Sequence, residues 1–84
     1  MSQIEKLIKR FLTIPSDFRY EDYAKIASHF NYAENAKMEG SRVRFYRETD
    51  KKIVLLHKPH NVERMKKDAI RGVLDQMRKN GDEI

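Results

Sequence analysis

The chain of 84 residues contains no cysteine and no tryptophan, and only two prolines and three glycines. Without cysteine, it can form neither a disulfide framework nor a thiolate zinc site, and a reducing cytoplasm is the expected compartment. The sequence also lacks long apolar runs. Its first apolar stretch, Ile4 to Leu12, is interrupted by charged residues, so it predicts neither a signal peptide nor a membrane span.

Positive charge is what the sequence has in excess. Lys and Arg number 18 against 13 Asp and Glu, which gives a formal charge of +5 and a pI near 9.6. This balance favours a polyanionic partner, and nucleic acid is the leading candidate. The length predicts one domain over residues 1–84 with a modest core. It leaves no room for a separate cofactor-binding unit, so no cofactor is expected.

Helical periodicity is clearest in three segments. Ser2 and Glu5 form a capping-box pattern ahead of a short first helix at about 3–12. Pro15 ends this pattern, and a second helix is predicted to run to about Asn31. For the last helix, Asn61 is the predicted cap and the dipeptide at 80–81 the stop. Its apolar stripe is formed by Val62, Met65, Ala69, Ile70, Val73, Leu74 and Met77.

Strand-like patterns lie between the second and the last helix. Ser41 to Arg47 alternates apolar and polar residues, as a half-buried strand does. A short strand within Tyr32 to Met38 is predicted to precede it, and Ile53 to His57 to follow it. The sequence therefore predicts an α+β fold, in which helices pack on one face of a three-stranded antiparallel meander in the order α-α-β-β-β-α.

The pairing of the last two strands follows from the turn between them. If Glu48 to Asp50 is the loop, apolar residues face apolar residues across the hairpin. The expected pairs are then Arg47–Lys51, Phe45–Ile53, Val43–Leu55 and Ser41–His57. In this register the outer face carries Arg42, Arg44 and Tyr46 opposite Leu56, Val54 and Lys52, and its aliphatic residues Val54 and Leu56 fit a protein partner.

Two motifs in this hairpin point to a family. Gly40-Ser41 opens a strand that carries Phe45, and His57-Lys58-Pro59-His60 precedes the last helix. Together with the order of elements, they resemble the glycine-serine-histidine strand and the histidine-proline segment of the HicA family. HicA proteins are small ribonuclease toxins of toxin-antitoxin systems, with a fold similar to the double-stranded-RNA-binding domain. The resemblance covers about Tyr20 to Met77 and leaves the first helix as an addition.

The resemblance implies an mRNA interferase that binds and cleaves RNA and is held inactive by a HicB-like antitoxin. One departure matters, because the family has its catalytic histidine where this chain has Arg42. Cleavage needs a base for the 2′-hydroxyl, an acid for the leaving oxygen and cations for the phosphorane. A guanidinium supplies only the last. If the protein is active, His57 is the nearest candidate base, and His60 could be the acid.

The expected RNA contacts combine cations with small and aromatic residues. Arginine and tyrosine can bind phosphate and stack on bases. A simpler interpretation is that the cations form a solvated edge that discourages strand pairing. In that interpretation the two histidines merely pack against the last helix or cap it. An inactive RNA- or protein-binding module therefore stays open as the alternative function, and no metal site is predicted. The predicted RNA-binding residues are Gly40, Ser41, Arg42, Arg44, Tyr46, Lys52 and Lys58.

Overall fold

The computed structural model describes residues 3–35, 42–57 and 64–84, and only the backbone of Asn35, Arg42 and His57. Within these residues, three helices and five strands form an α+β fold, which confirms the predicted class. The elements in chain order are α1 (Gln3–Leu12), β1 (Phe18–Arg19), α2 (Tyr20–His29), β2 (Ala33–Asn35), β3 (Arg42–Arg47), β4 (Lys52–His57), β5 (Arg64–Met65) and α3 (Lys67–Lys79).

The predicted meander is present as an antiparallel sheet of order β2-β3-β4. A second, two-stranded sheet pairs β1 with β5, and neither of these strands was predicted. No helix in the described part of the chain is long and apolar enough to cross a membrane.

The core lies between one face of the meander and the helices. Phe45, on the central strand, meets Tyr23 of α2 edge to face, with ring centroids 5.3 Å apart. Phe11 of α1 lies 5.5 Å from the Tyr23 ring and 5.3 Å from Phe18. All four side chains are buried, and aromatic contacts at these distances add to the gain from apolar burial. The first helix is therefore part of the same core.

The hairpin register differs from the prediction by one residue. Phe45 pairs with Val54, and Val43 pairs with Leu56. The turn spans four residues, 48–51, rather than three, and Lys51 at its end has a left-handed φ of 57°. A one-residue change in register moves every side chain of one strand to the other face.

The faces of β4 are consequently exchanged relative to the prediction. Val54 and Leu56, expected on the outer face, are buried in the core. Ile53 and Leu55 take the outer face, where 39% and 47% of their surfaces are exposed. The prediction that Val54 and Leu56 offer an outer surface to a protein partner is therefore wrong.

The small ribbon of β1 and β5 changes the start of the last helix. Phe18 pairs with Met65 and Arg19 with Arg64, and both apolar members are buried. The helix begins at Lys67, so the prediction of a helix that already includes Met65 is wrong. Met65 fits the helical stripe by spacing, but it reaches the core from a strand because its backbone pairs with that of Phe18.

Helix α3 also covers the outer edge of β4. The Gln76 amide accepts a hydrogen bond from the Leu55 N–H (2.9 Å) and donates one to the Leu55 carbonyl (2.8 Å). Asn80 donates to the Ile53 carbonyl at 3.0 Å. These bonds satisfy backbone groups that an edge strand otherwise leaves to water.

Arg47, at the end of β3, is the buried cation of the fold. Its guanidinium donates two hydrogen bonds of 2.8 Å to the Asp50 carboxylate and one of 2.5 Å to Asp82. It also donates to the Phe30 carbonyl at 3.1 Å and lies over the Tyr32 ring at 4.6 Å. Hydrogen bonds to Asp50 and Asp82 raise the pKa of Arg47 above its ordinary value. One side chain thus joins the hairpin turn, the end of α2 and the C-terminal residues.

The stop of α3 brings Asp82 to this cation. Gly81 has a φ of 92°, and its N–H donates to the Arg78 carbonyl at 3.1 Å. The Asp82 N–H donates to the Met77 carbonyl at 3.0 Å. These two bonds and the left-handed glycine define a Schellman motif, which reverses the chain after a helix. The predicted stop at residues 80–81 therefore also positions a structural carboxylate.

Candidate nucleic-acid interface

The face of the meander away from the helices is the candidate interface, and we call it the open face. Strand alternation places Arg44 and Tyr46 of β3 there, together with Ile53 and Leu55 of β4. Arg44 pairs with Leu55 and Tyr46 pairs with Ile53. On the other side of Tyr46 its partner is Ala33 of β2. The open face therefore combines one arginine and one tyrosine with partly exposed aliphatic side chains.

The backbone of His57 pairs with that of Arg42 at one end of this hairpin. The sequence predicted Ser41 as the partner of His57, and this pairing is wrong by one residue. The register thus brings positions 42 and 57 together at this end of the hairpin.

Arg44 has an unusual environment for an exposed face. Its side chain is half-buried, and its Nε atom is removed from solvent without any hydrogen-bond acceptor in the structure as described. A buried donor without an acceptor costs free energy, and an acceptor supplied by a ligand would recover it. Arg44 is therefore the described residue of the open face best placed to bind an anion.

Tyr46 is the aromatic residue of the open face and is also half-buried. Its neighbours across the strands are Ile53 and Ala33, both exposed. An aromatic ring between small and aliphatic neighbours offers a surface on which an unpaired base can stack. The prediction that Arg44 and Tyr46 lie on the same face of the sheet is confirmed by the strand register.

Lys52 does not belong to this face. It pairs with Arg47 and shares the alternation of the buried residues Val54 and Leu56. Its side chain is exposed at the end of the strand, on the side of the helices. The prediction that it lies beside Arg44 and Tyr46 is wrong, because the hairpin register differs from the predicted one by one residue.

Four predicted site residues, Gly40, Ser41, Lys58 and His60, lie outside the described residues, and their roles stay predictions. The third histidine, His29, is exposed in the last turn of α2, and its ring meets Phe30 at 5.3 Å. In the described ranges, no group of three or more His, Cys, Asp or Glu side chains could hold a metal ion.

The core tyrosines are unsuited to proton transfer near neutral pH. Burial and a hydrogen bond to Asp82 raise the pKa of Tyr32 to about 12. Burial and the neighbouring Glu34 also raise the pKa of Tyr20, and burial raises the pKa of Tyr23. A general base works best when its pKa lies near the working pH. Histidine is the side chain whose ordinary pKa lies closest to neutral pH.

In comparisons with models of protein families, with curated proteins and with solved structures, nothing matches the chain. The geometry of the open face and the two sequence motifs are therefore the observations that bear on nucleic-acid binding.

Proposed function

We propose that the protein is a HicA-like toxin of the cytoplasm that binds RNA across the open face and cleaves it at the end carrying His57. The observation that carries the proposal is the pairing of Arg42 with His57 at one end of an antiparallel meander. The order of helix, three strands and helix, the Arg44–Tyr46 face and the net charge of +5 support it.

In the proposed reaction, His57 removes the proton from a ribose 2′-hydroxyl. The oxygen then attacks the neighbouring phosphorus, and the bond from phosphorus to the leaving oxygen breaks. His60 donates the proton that the leaving oxygen needs. Arg42 and Arg44 stabilise the negative charge of the phosphorane, because a guanidinium stays protonated and presents several donors to phosphate oxygens.

An inactive binding module is the second candidate, and a specific observation favours it. Arg42 occupies the position of the family's catalytic histidine and cannot accept a proton at neutral pH. In this version the open face still holds RNA or a protein, and the histidines have no chemical role.

A protein partner fits the open face in either version. Ile53 and Leu55 expose apolar surface on the same face as Tyr46, and binding of a partner there would remove this surface from water. Under the toxin hypothesis this partner is a HicB-like antitoxin. A HicB-like protein encoded by the adjacent gene would support the assignment.

The test of the chemistry is an RNA cleavage assay with purified protein. The His57→Ala, His60→Ala double variant should lose about 10²–10⁴-fold in rate, the usual contribution of acid–base catalysis, while it still binds RNA. The matched control is His29→Ala, which removes the histidine outside the site and should cleave normally. Cleavage that survives in the double variant would reject the mechanism.

If the wild type does not cleave RNA, Arg42→His restores the histidine of the family motif. A gain of cleavage would mean that this substitution alone silenced a nuclease. Continued inactivity, with RNA binding retained, would favour the binding module.

A further inference from the structure

The ribbon of β1 and β5 places two arginines directly opposite each other. Arg19 pairs with Arg64 in the antiparallel register, and both side chains are exposed. Residues that face each other in such a pair have Cα atoms about 4.5–5.5 Å apart. Like charges directly opposite on neighbouring strands destabilise the pairing. The fold therefore holds this pair in spite of its electrostatics.

Neighbouring charges offset the pair only in part. Arg19 has one ion pair, to Glu21 at 3.3 Å, between side chains that are each more than half exposed. Within the described part of the chain, no ion pair involves Arg64. The next residues, Lys66 and Lys67, are also exposed cations, and they stand at the start of α3, where the helix dipole disfavours positive charge.

The ribbon offers charge but no apolar surface. Phe18 and Met65, the other pair of the ribbon, are fully buried in the core. Protein–protein interfaces are depleted in charge at their centres and rely on aromatic or apolar anchors. Contacts to a nucleic-acid backbone are instead dominated by cations that neutralise phosphates. The chemistry of the ribbon therefore fits a phosphate backbone better than a protein surface.

We propose that the Arg19–Arg64 pair is a second RNA contact, at which the two guanidinium groups bind backbone phosphates of the bound RNA. The inference rests on the proposed RNA binding and assigns a function to the ribbon, because β1 supplies one arginine and β5 supplies the other. The contact reads no sequence, since phosphates are the same at every nucleotide.

The experiment measures the affinity for a labelled single-stranded RNA at several salt concentrations. The Arg19→Ala, Arg64→Ala variant should bind roughly tenfold more weakly at low salt. Its slope of log affinity against log salt should be smaller by about 1.4, the value for two phosphates on a single strand. Arg19→Lys, Arg64→Lys keeps both charges and should keep most of the slope.

The control variant is Arg78→Ala, Lys79→Ala, which removes the same charge from the far end of α3, about 18 Å along its axis. It should change affinity much less. The thermal unfolding midpoint supplies a readout of structure. It should stay the same or rise in Arg19→Ala, Arg64→Ala, because the like-charge pair is removed.

The alternative outcomes separate this inference from the proposed function. If Arg44→Ala weakens RNA binding but Arg19→Ala, Arg64→Ala does not, the second contact is rejected and RNA binding by the open face stands. A loss equal to that of the control, or a lower unfolding midpoint, would also overturn the inference. If the variant loses affinity only for a protein partner, the arginine pair belongs to a protein interface and the proposed RNA contact is rejected. If the wild type binds no RNA, both proposals fail.

Discussion

Two arginines of β3, three residues apart, lie on opposite faces of the sheet and in opposite electrostatic conditions. Arg47 faces the helices, is 8% exposed and donates hydrogen bonds to Asp50, Asp82 and the Phe30 carbonyl. Arg44 lies on the open face, and its Nε has no acceptor among the described residues. Arginine therefore stabilises the fold at position 47 and is a hydrogen-bond donor without an acceptor at position 44.

The contrast separates structural arginines from candidate ligand-binding arginines in a chain with 18 Lys and Arg residues. A buried charge is retained when the fold itself supplies its partners. A donor that the fold leaves without a partner is a candidate for a ligand. Substitutions in both groups of residues test this division.

Arg47→Met should lower the free energy of unfolding by about 3–5 kcal/mol, because it leaves the buried Asp82 carboxylate without its cation. Urea unfolding measures the change. Arg44→Met is the matched control on the same strand and should lose no stability, because it removes a buried donor that has no acceptor. Equal losses in the two variants would remove the distinction between the arginines.

Tyr32→Phe should cost about 1.5–3 kcal/mol, the range for a hydrogen bond to a charged group, because the Tyr32 hydroxyl donates to Asp82 at 2.6 Å. The folded protein raises the pKa of Tyr32 from 10.0 to about 12, so the unfolded chain loses this proton first as pH rises. Stability should therefore fall between about pH 10 and pH 12. A pH dependence in this window that is unchanged in Tyr32→Phe would show that other groups cause it.

Arg42→Ala, Arg44→Ala should weaken RNA binding at least roughly tenfold at low salt and lower its salt slope by about 1.4, as expected for two phosphates on a single strand. Fluorescence titration at several salt concentrations measures both. The unfolding free energy should hardly change. An RNA affinity that does not depend on salt, or that is unchanged in this variant, would contradict RNA binding by the open face.

Asp50 should contribute a small, acid-sensitive part of the stability. Its hydrogen bonds from Arg47 lower its pKa below the ordinary value of 3.8, so its contribution is present above that pH and is lost as pH falls below it. The wild type should exceed Asp50→Asn in stability at neutral pH, and the gap should close in strong acid. A gap that persists in acid would point to a contribution other than the charge.

Much of the fold could be predicted because helical and strand periods are clear in the sequence. The register of the hairpin could not, because residues 53–56 are all apolar and a continuous apolar run has no alternation to fix its faces. The structure has a four-residue turn, with the left-handed Lys51 at its end and the bonds between Arg47 and Asp50 across it. These are properties of the turn, and side-chain pairing alone did not reveal them.

The ribbon escaped prediction for a related reason. Met65 has the spacing of the α3 stripe, and two-residue strands carry no period of their own. Its pairing with Phe18 joins residues far apart in sequence, which a local pattern cannot report. For the site, the sequence predicted that Arg44 and Tyr46 share a face, but it assigned Lys52 to the wrong side. The unsatisfied Nε of Arg44 is a property of packing and has no signal in sequence.

The Gln76 side chain has a consequence for self-association. Its carboxamide offers the Leu55 backbone the same donor and acceptor that the peptide group of another strand would offer. A second molecule that added a strand at this edge would first have to break these two bonds and displace α3. Exposed strand edges are common starting points for aggregation. In this protein, one glutamine blocks that route at the outer edge of β4.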